Sequence, residues 1–242
     1  MINMASFVIR ISSLPGGVGK SVVAINLAIA LASAGKKVLL IDTDAVSPSI
    51  SSYLNVTPKK TYYDILINNV PPKDAVIKYK PGKIDLILSE PFPITYGLSK
   101  KQVETAGKAG LELGYDFIVA DTPKGIFFPV ASQLYSMALV ISTPFYNSIM
   151  NNYELHAMYR KFHMNYYLVV NKFGRSSHQM SKKEIEAKTK EKILAAIPED
   201  PIVEMSIYKK RPAFLIDRNS RFSKSIWRLA RLMIKEAKDQ EK

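Results

Sequence analysis

The 242-residue sequence is long enough for one well-cored α/β domain, and its 47% hydrophobic and 23% charged residues are those of an ordinary soluble globular protein. It holds no cysteine, which excludes disulfide frameworks, thiolate zinc sites, cysteine-ligated iron–sulfur clusters and thiol nucleophiles. A formal net charge of +13 favours contact with polyanions such as nucleic acid, acidic partners or anionic lipid, although basic residues scattered from Arg160 to Arg211 are also the ordinary pattern of a solvated surface.

The segment from Met1 to Ser13 has one short apolar run and leads into a glycine-rich loop, so it reads as neither signal nor transit peptide. No stretch approaches the ~20 continuous apolar residues of a membrane span, and the expectation is a cytoplasmic protein. Phe7 to Ile11 reads as the first strand. Lys20 to Ala34 reads as a helix with Val23, Leu27 and Leu31 on a broad apolar face, stopped by Gly35. Val38 to Ile41 is a continuous apolar run, as expected of a strand buried on both faces, and it ends at Asp42.

Tyr62 to Asn68 reads as a short helix, Ile84 to Leu88 as a strand, and Ser99 to Leu113 as a helix weakened by Gly107 and Gly110. Phe117 to Ala120 is another buried strand that stops at an aspartate, Asp121. Leu139 to Ser142 and Tyr167 to Val170 repeat the pattern around a helix from about Ser148 to Phe162, and Lys192 to Ala196 is the last strand. The polar stretch Gly174 to Thr189 is either a surface helix or a mobile insertion, and Ser223 to Lys238 closes the chain as an amphipathic helix. Strands alternating with helices predict a mostly parallel β-sheet flanked by helices on both faces, with residues 1–242 forming a single domain.

Pro15-Gly16-Gly17-Val18-Gly19-Lys20-Ser21 falls between a strand and a helix, the context in which a phosphate-binding P-loop works. Glycines let backbone N–H groups wrap around phosphate oxygens, and the helix N-terminus adds its partial positive charge. Lys20 supplies a point charge to the β- and γ-phosphates, and the Ser21 hydroxyl suits a magnesium ion held mainly by phosphate oxygens and water. The candidate binding residues are therefore Gly16, Gly17, Val18, Gly19, Lys20, Ser21 and Val22. The common form of the motif carries glycine where this chain has Leu14, so the loop is a variant.

The run from Pro15 to Leu54 resembles the MinD/ParA family of deviant-Walker ATPases, a SIMIBI-type branch of the P-loop NTPases. So do YDFIVADTPKGI (Tyr115 to Ile126), VVNKF (Val169 to Phe173) and IPEDP (Ile197 to Pro201). The blocks come in the family's order along nearly the whole chain. The resemblance implies ATP/ADP and Mg²⁺ as cofactors. It casts Asp44 as the switch I aspartate that positions the attacking water, and puts Asp42 behind the metal. Asp121 becomes the Walker B aspartate, and Gly125 a switch II glycine near the γ-phosphate. Asn171 becomes the adenine-contacting asparagine, with Pro198 and Glu199 near the base. By residue type alone, Asp42 and Asp44 equally suit caps of the turn after a strand.

The family's second lysine, which reaches a partner's nucleotide across an ATP-sandwich dimer, is Pro15 here. Proline has neither charge nor N–H and cannot replace a cationic donor at developing negative charge, so slow or absent hydrolysis follows. Lys124, within DTPKGI, is a candidate to approach the phosphates or a partner instead.

The missing cysteines set aside iron–sulfur relatives, and the KEAKDQEK end has no tyrosine cluster of the bacterial-kinase kind. Ile226, Leu229, Ala230 and Met233 share the inward face of the last helix with only a polar stub beyond, so membrane anchoring by an extra amphipathic helix is not expected. By resemblance to ParA proteins, Arg211, Arg218, Arg221, Lys224 and Arg228 are candidates for nonspecific DNA contact in a nucleotide-dependent homodimer. The leading expectation is an ATP-binding, weakly hydrolysing switch that acts in DNA partitioning or positions a protein complex through an unidentified partner. The alternative is a nucleotide-binding scaffold without turnover.

Overall fold

The computed structural model describes residues 6–91, 110–125, 134–174 and 176–240. Among the described residues eight strands form one sheet: β1 (Phe7–Ser12), β2 (Val38–Asp42), β3 (Ile77–Tyr79), β4 (Ile84–Ile87), β5 (Phe117–Asp121), β6 (Met137–Ser142), β7 (Tyr166–Phe173) and β8 (Ile193–Pro198). Their order is β3-β4-β2-β5-β1-β6-β7-β8. All pairs are parallel except the edge pair β3–β4. The helices described are α1 (Lys20–Ser33), α2 (Ile50–Leu54), α3 (Tyr62–Asn68), α4 (Tyr146–Lys161), α5 (Lys182–Thr189), α6 (Pro201–Tyr208), α7 (Ala213–Ile216) and α8 (Arg221–Gln240).

Alternation along each strand sorts the core into two layers. Ile9, Ile11, Leu40, Val119, Leu139 and Val169 point to one face and pack with the inward residues of α1 and α8. Their neighbours Val8, Leu39, Ile41 and Ile118 point to the other face, under Tyr62, Ile65 and Leu66 of α3. Farther along that second face, Ala138 and Val140 meet Leu155 and Tyr159 of α4, and Leu168 and Val170 meet Ile149 of α4 and Ile185 of α5. Central strands are buried on both sides, which is why they read as unbroken apolar runs.

The predicted strands and helices recur with ends shifted by three residues or fewer. The stretch Gly174 to Thr189 resolves into a surface helix in its second half: a Ser181–Glu184 capping box starts α5, and Ile185 is fully buried. Most of the helix expected over Ser99 to Leu113 lies outside the described residues, and its tail Leu111–Leu113 is one 3₁₀ turn. Strand β3 and the short helices α2, α6 and α7 carry too few residues for a periodic signal, and none was expected.

Topology fixes where the site falls. From β1 the chain crosses through α1 to β2 on the β5 side, whereas β6 lies on the other flank of β1. The carboxyl end of β1 is therefore the point where connections diverge, and it leaves a crevice there.

Candidate nucleotide site

The loop after β1 turns on two left-handed glycines, Gly17 (φ 72°) and Gly19 (φ 93°), before α1 begins at Lys20. A side chain at Gly19 fails twice, because its Cβ would also lie 2.4 Å from Nδ2 of Asn171. No side-chain cap satisfies the first N–H groups of α1, which leaves them facing the crevice as donors.

A cavity of about 790 Å³ opens over this loop. Of the residues singled out from sequence, Gly16, Gly17, Gly19, Lys20, Ser21 and Val22 line it from the loop and α1. Asp44 lines it from the β2 side, Lys124 from the segment after β5, and Asn171, Pro198 and Glu199 from the ends of β7 and β8. Val18, Asp42, Asp121 and Gly125 are not in the wall; the first three are buried.

The acidic residues divide the work. Asp42 and Asp121 end adjacent strands in register, both almost fully buried. Asp42 accepts from the backbone N–H groups of Asp44 at 3.0 Å and Ile50 at 3.4 Å, so it braces the segment between β2 and α2. Burial, and then the charge of Asp121, push its pKa well above the usual carboxylate value. Asp44 caps its own turn, accepting from Val46 N at 3.0 Å and Ser47 N at 2.9 Å, and still borders the cavity.

Asp121 is also raised, by burial first, with the Ser21 hydroxyl and Lys20 pulling the other way. Its Oδ1 is buried without a hydrogen-bond partner among the described residues. An orphaned carboxylate oxygen behind a phosphate loop suits the water shell of a divalent cation. Ser21 accepts a hydrogen bond from Ser49 Oγ at 2.6 Å and is itself hydrogen-bonded to the Asp121 carboxylate, so its hydroxyl sits between the β2–α2 segment and β5 at the cavity wall. No cluster of three or more His, Cys, Asp or Glu that could hold a metal occurs among the described residues, so a cation here would take most of its ligands from phosphate and water.

Two residues that position the loop, Asn152 and Lys172, carried no legible signal in the sequence, and two that were singled out, Asn171 and Gly125, also tie it down. Asn152 of α4, fully buried, accepts from Leu14 N at 2.8 Å and donates to Ile141 O at 2.9 Å, which ties the loop entrance to β6. Lys172, in a left-handed backbone (φ 58°), donates Nζ to Gly17 O at 3.0 Å. Asn171 donates Nδ2 to Val18 O at 2.8 Å, so it holds the loop as well as bordering the cavity. Gly125 (φ 108°) donates its N–H to Ser13 O at 3.3 Å.

The basic candidates split. Arg218, Lys224 and Arg228 line a second cavity of about 380 Å³ with Phe214, Trp227 and Arg231. Arg221 instead donates to Glu199 O at 3.3 Å, and Arg211 is exposed outside that groove. Arg231 was missed as a member.

The model of the CobQ/CobB/MinD/ParA nucleotide binding domain matches residues 9–213. The chain belongs to this family. An uncharacterised ATP-binding protein of Methanocaldococcus jannaschii is 30% identical over 236 residues, 95% of this chain and 89% of that one. The septum site-determining protein MinD of Thermotoga maritima is 27% identical over 93% of this chain and 86% of its own length. Among solved structures, a chain of the MinC:MinD cell division protein complex of Aquifex aeolicus superposes with a TM-score of 0.82 at 26% identity, covering 95% of this chain and 96% of that one. The mostly parallel sheet and the loop after β1 are thus those of a MinD/ParA-type P-loop protein. No described helix is long and apolar enough to cross a membrane.

Proposed function

We propose that this MinD/ParA-family chain is an ATP-dependent switch. It binds Mg–ATP, hydrolyses it weakly, dimerises with nucleotide bound, and positions DNA or a protein complex. The observation that carries this reading is the convergence on one cavity of an uncapped helix N-terminus, Lys20 and Asp44, with the orphaned Oδ1 of Asp121 behind them.

In this reading Gly16 to Val22 cradle the phosphates, and Lys20 neutralises the β- and γ-phosphates. Ser21 and Asp121 would hold a magnesium ion and its water shell, with Asp42 as the brace behind them. The ion would supply charge neutralisation at the phosphates. Asp44 orients the attacking water, Gly125 is within the loop that answers to the γ-phosphate, and Asn171, Pro198 and Glu199 border the base. The name of the archaeal relative, an ATP-binding protein, supports the nucleotide, and the MinC:MinD complex supports a protein partner. The basic, aromatic-floored groove of Arg218, Lys224 and Arg228 supports an anionic partner such as DNA.

Pro15 favours a second reading, a nucleotide-bound scaffold without useful turnover, because no cation is available at that position. Phosphate release with and without DNA separates the two, with Lys20→Ala as the control for contaminating ATPase. The switch predicts a slow rate that DNA raises and that Lys20→Ala abolishes. A flat baseline under both conditions, with calorimetric binding of Mg–ATP intact, leaves the scaffold.

A further inference from the structure

Among the described residues three lysines line the cavity over the phosphate loop, and their surroundings differ. Lys172 is committed to the loop itself through its bond to Gly17 O at 3.0 Å. Lys20 opens α1, and its charge acts on buried Asp121. Lys124 approaches from the opposite side, on the segment that follows β5. It is exposed, borders the same cavity, and makes no hydrogen bond or ion pair among the described residues. Its Cδ passes 3.9 Å from where a Cβ on Gly16 would stand, so its stem runs alongside the outer limb of the loop.

That approach is held by backbone on both sides. Thr122 donates its N–H and its hydroxyl to Ile11 O, at 3.2 and 2.9 Å. Gly125 donates its N–H to Ser13 O at 3.3 Å, in a left-handed conformation that a side chain would strain. The flanks of Lys124 are therefore tied to the end of β1 and the entrance of the phosphate loop, so the segment after β5 holds the lysine stem at the cavity rim.

We propose that Lys124 is a second phosphate-binding cation of this site, contacting the terminal phosphate of a nucleoside triphosphate and so distinguishing it from the diphosphate. The inference rests on the nucleotide reading above. A diphosphate would find its donors in the uncapped amides at the start of α1 and in Lys20. The additional charge of a triphosphate would be the one left for a cation that enters from the β5 side beside Gly16.

The test is calorimetry in magnesium with a non-hydrolysable ATP analogue and with ADP, on the wild-type chain, Lys124→Ala and Lys124→Arg. Loss of one charge-assisted contact should weaken the triphosphate analogue about tenfold in Lys124→Ala and leave ADP within about twofold. Lys124→Arg should recover most of the loss. Equal weakening of both ligands, or no change in either, overturns the proposal while the nucleotide site stands. A wild-type chain that binds neither ligand overturns both. Because Lys124 is exposed, unchanged thermal midpoints are expected in the two variants and separate binding from folding.

Discussion

Buried polar side chains carry most of the loop's positioning. Asn152 satisfies a loop amide and a strand carbonyl at once, and Asn171 holds Val18 O from the opposite side. Each bond contributes on the order of 1 kcal/mol net, but a partner left buried and unpaired costs more. His156 is the contrasting case. Its ring is fully buried, stacks on Tyr166 at 5.4 Å, and has no hydrogen-bond partner at either nitrogen among the described residues. Desolvation is the main cause that lowers its pKa from 6.5 to about 4; Glu191 opposes the shift and Arg160 adds to it. The unfolded chain then binds a proton between these values that the folded chain refuses, so stability rises with pH across the window. As pH falls from 6.5 to about 4, His156 should account for a loss of up to about 3 kcal/mol, with no further loss from this group below that range. Urea midpoints against pH for wild type and His156→Phe check this: the variant should lose that part of the slope, and identical slopes would refute it.

At the scale of elements, the last helix shows how one amphipathic pattern serves two surfaces. Ile226, Leu229, Ala230 and Met233 of α8 are fully buried within the core shared with α1 and the sheet. Lys224, Arg228 and Arg231 face a groove with Trp227. Leu229→Ala should therefore destabilise the fold by about 2–5 kcal/mol through transfer and cavity terms. Arg228→Ala should stay within about 0.5 kcal/mol. Denaturant midpoints of the two variants test the assignment of faces, and comparable losses would contradict it. The same helix explains why its apolar face was legible from spacing, whereas the contribution of Phe214, which comes from α7, was not.

Across the whole molecule, the charge of +13 and the position of the cavity at the carboxyl edge of the sheet bear on assembly. Val46 and Ile207 border the cavity and are 62% and 52% exposed, so its rim is partly apolar and open to a partner. If nucleotide drives dimerisation, light scattering after gel filtration should give a doubled mass with Mg–ATP and a monomer mass with Mg–ADP. One mass under both conditions would show that dimerisation is not coupled to the nucleotide in the absence of a lysine at Pro15.

Local chemistry determined much of this in advance. Apolar runs ending in Asp42 and Asp121 fixed the two strands, and Gly-Lys-Ser at a helix start fixed the phosphate loop, because strand burial and close backbone approach each demand particular residue types at particular positions. The tertiary structure decided which of these side chains share a wall. Asp42 turned out to brace backbone while Asp44 borders the cavity, and Asn171 and Lys172 hold a loop about 153 and 155 residues earlier in the chain. Sequence periodicity records which face a residue takes within its own element, but strand order brings distant ends together, and that order is set by packing across the sheet.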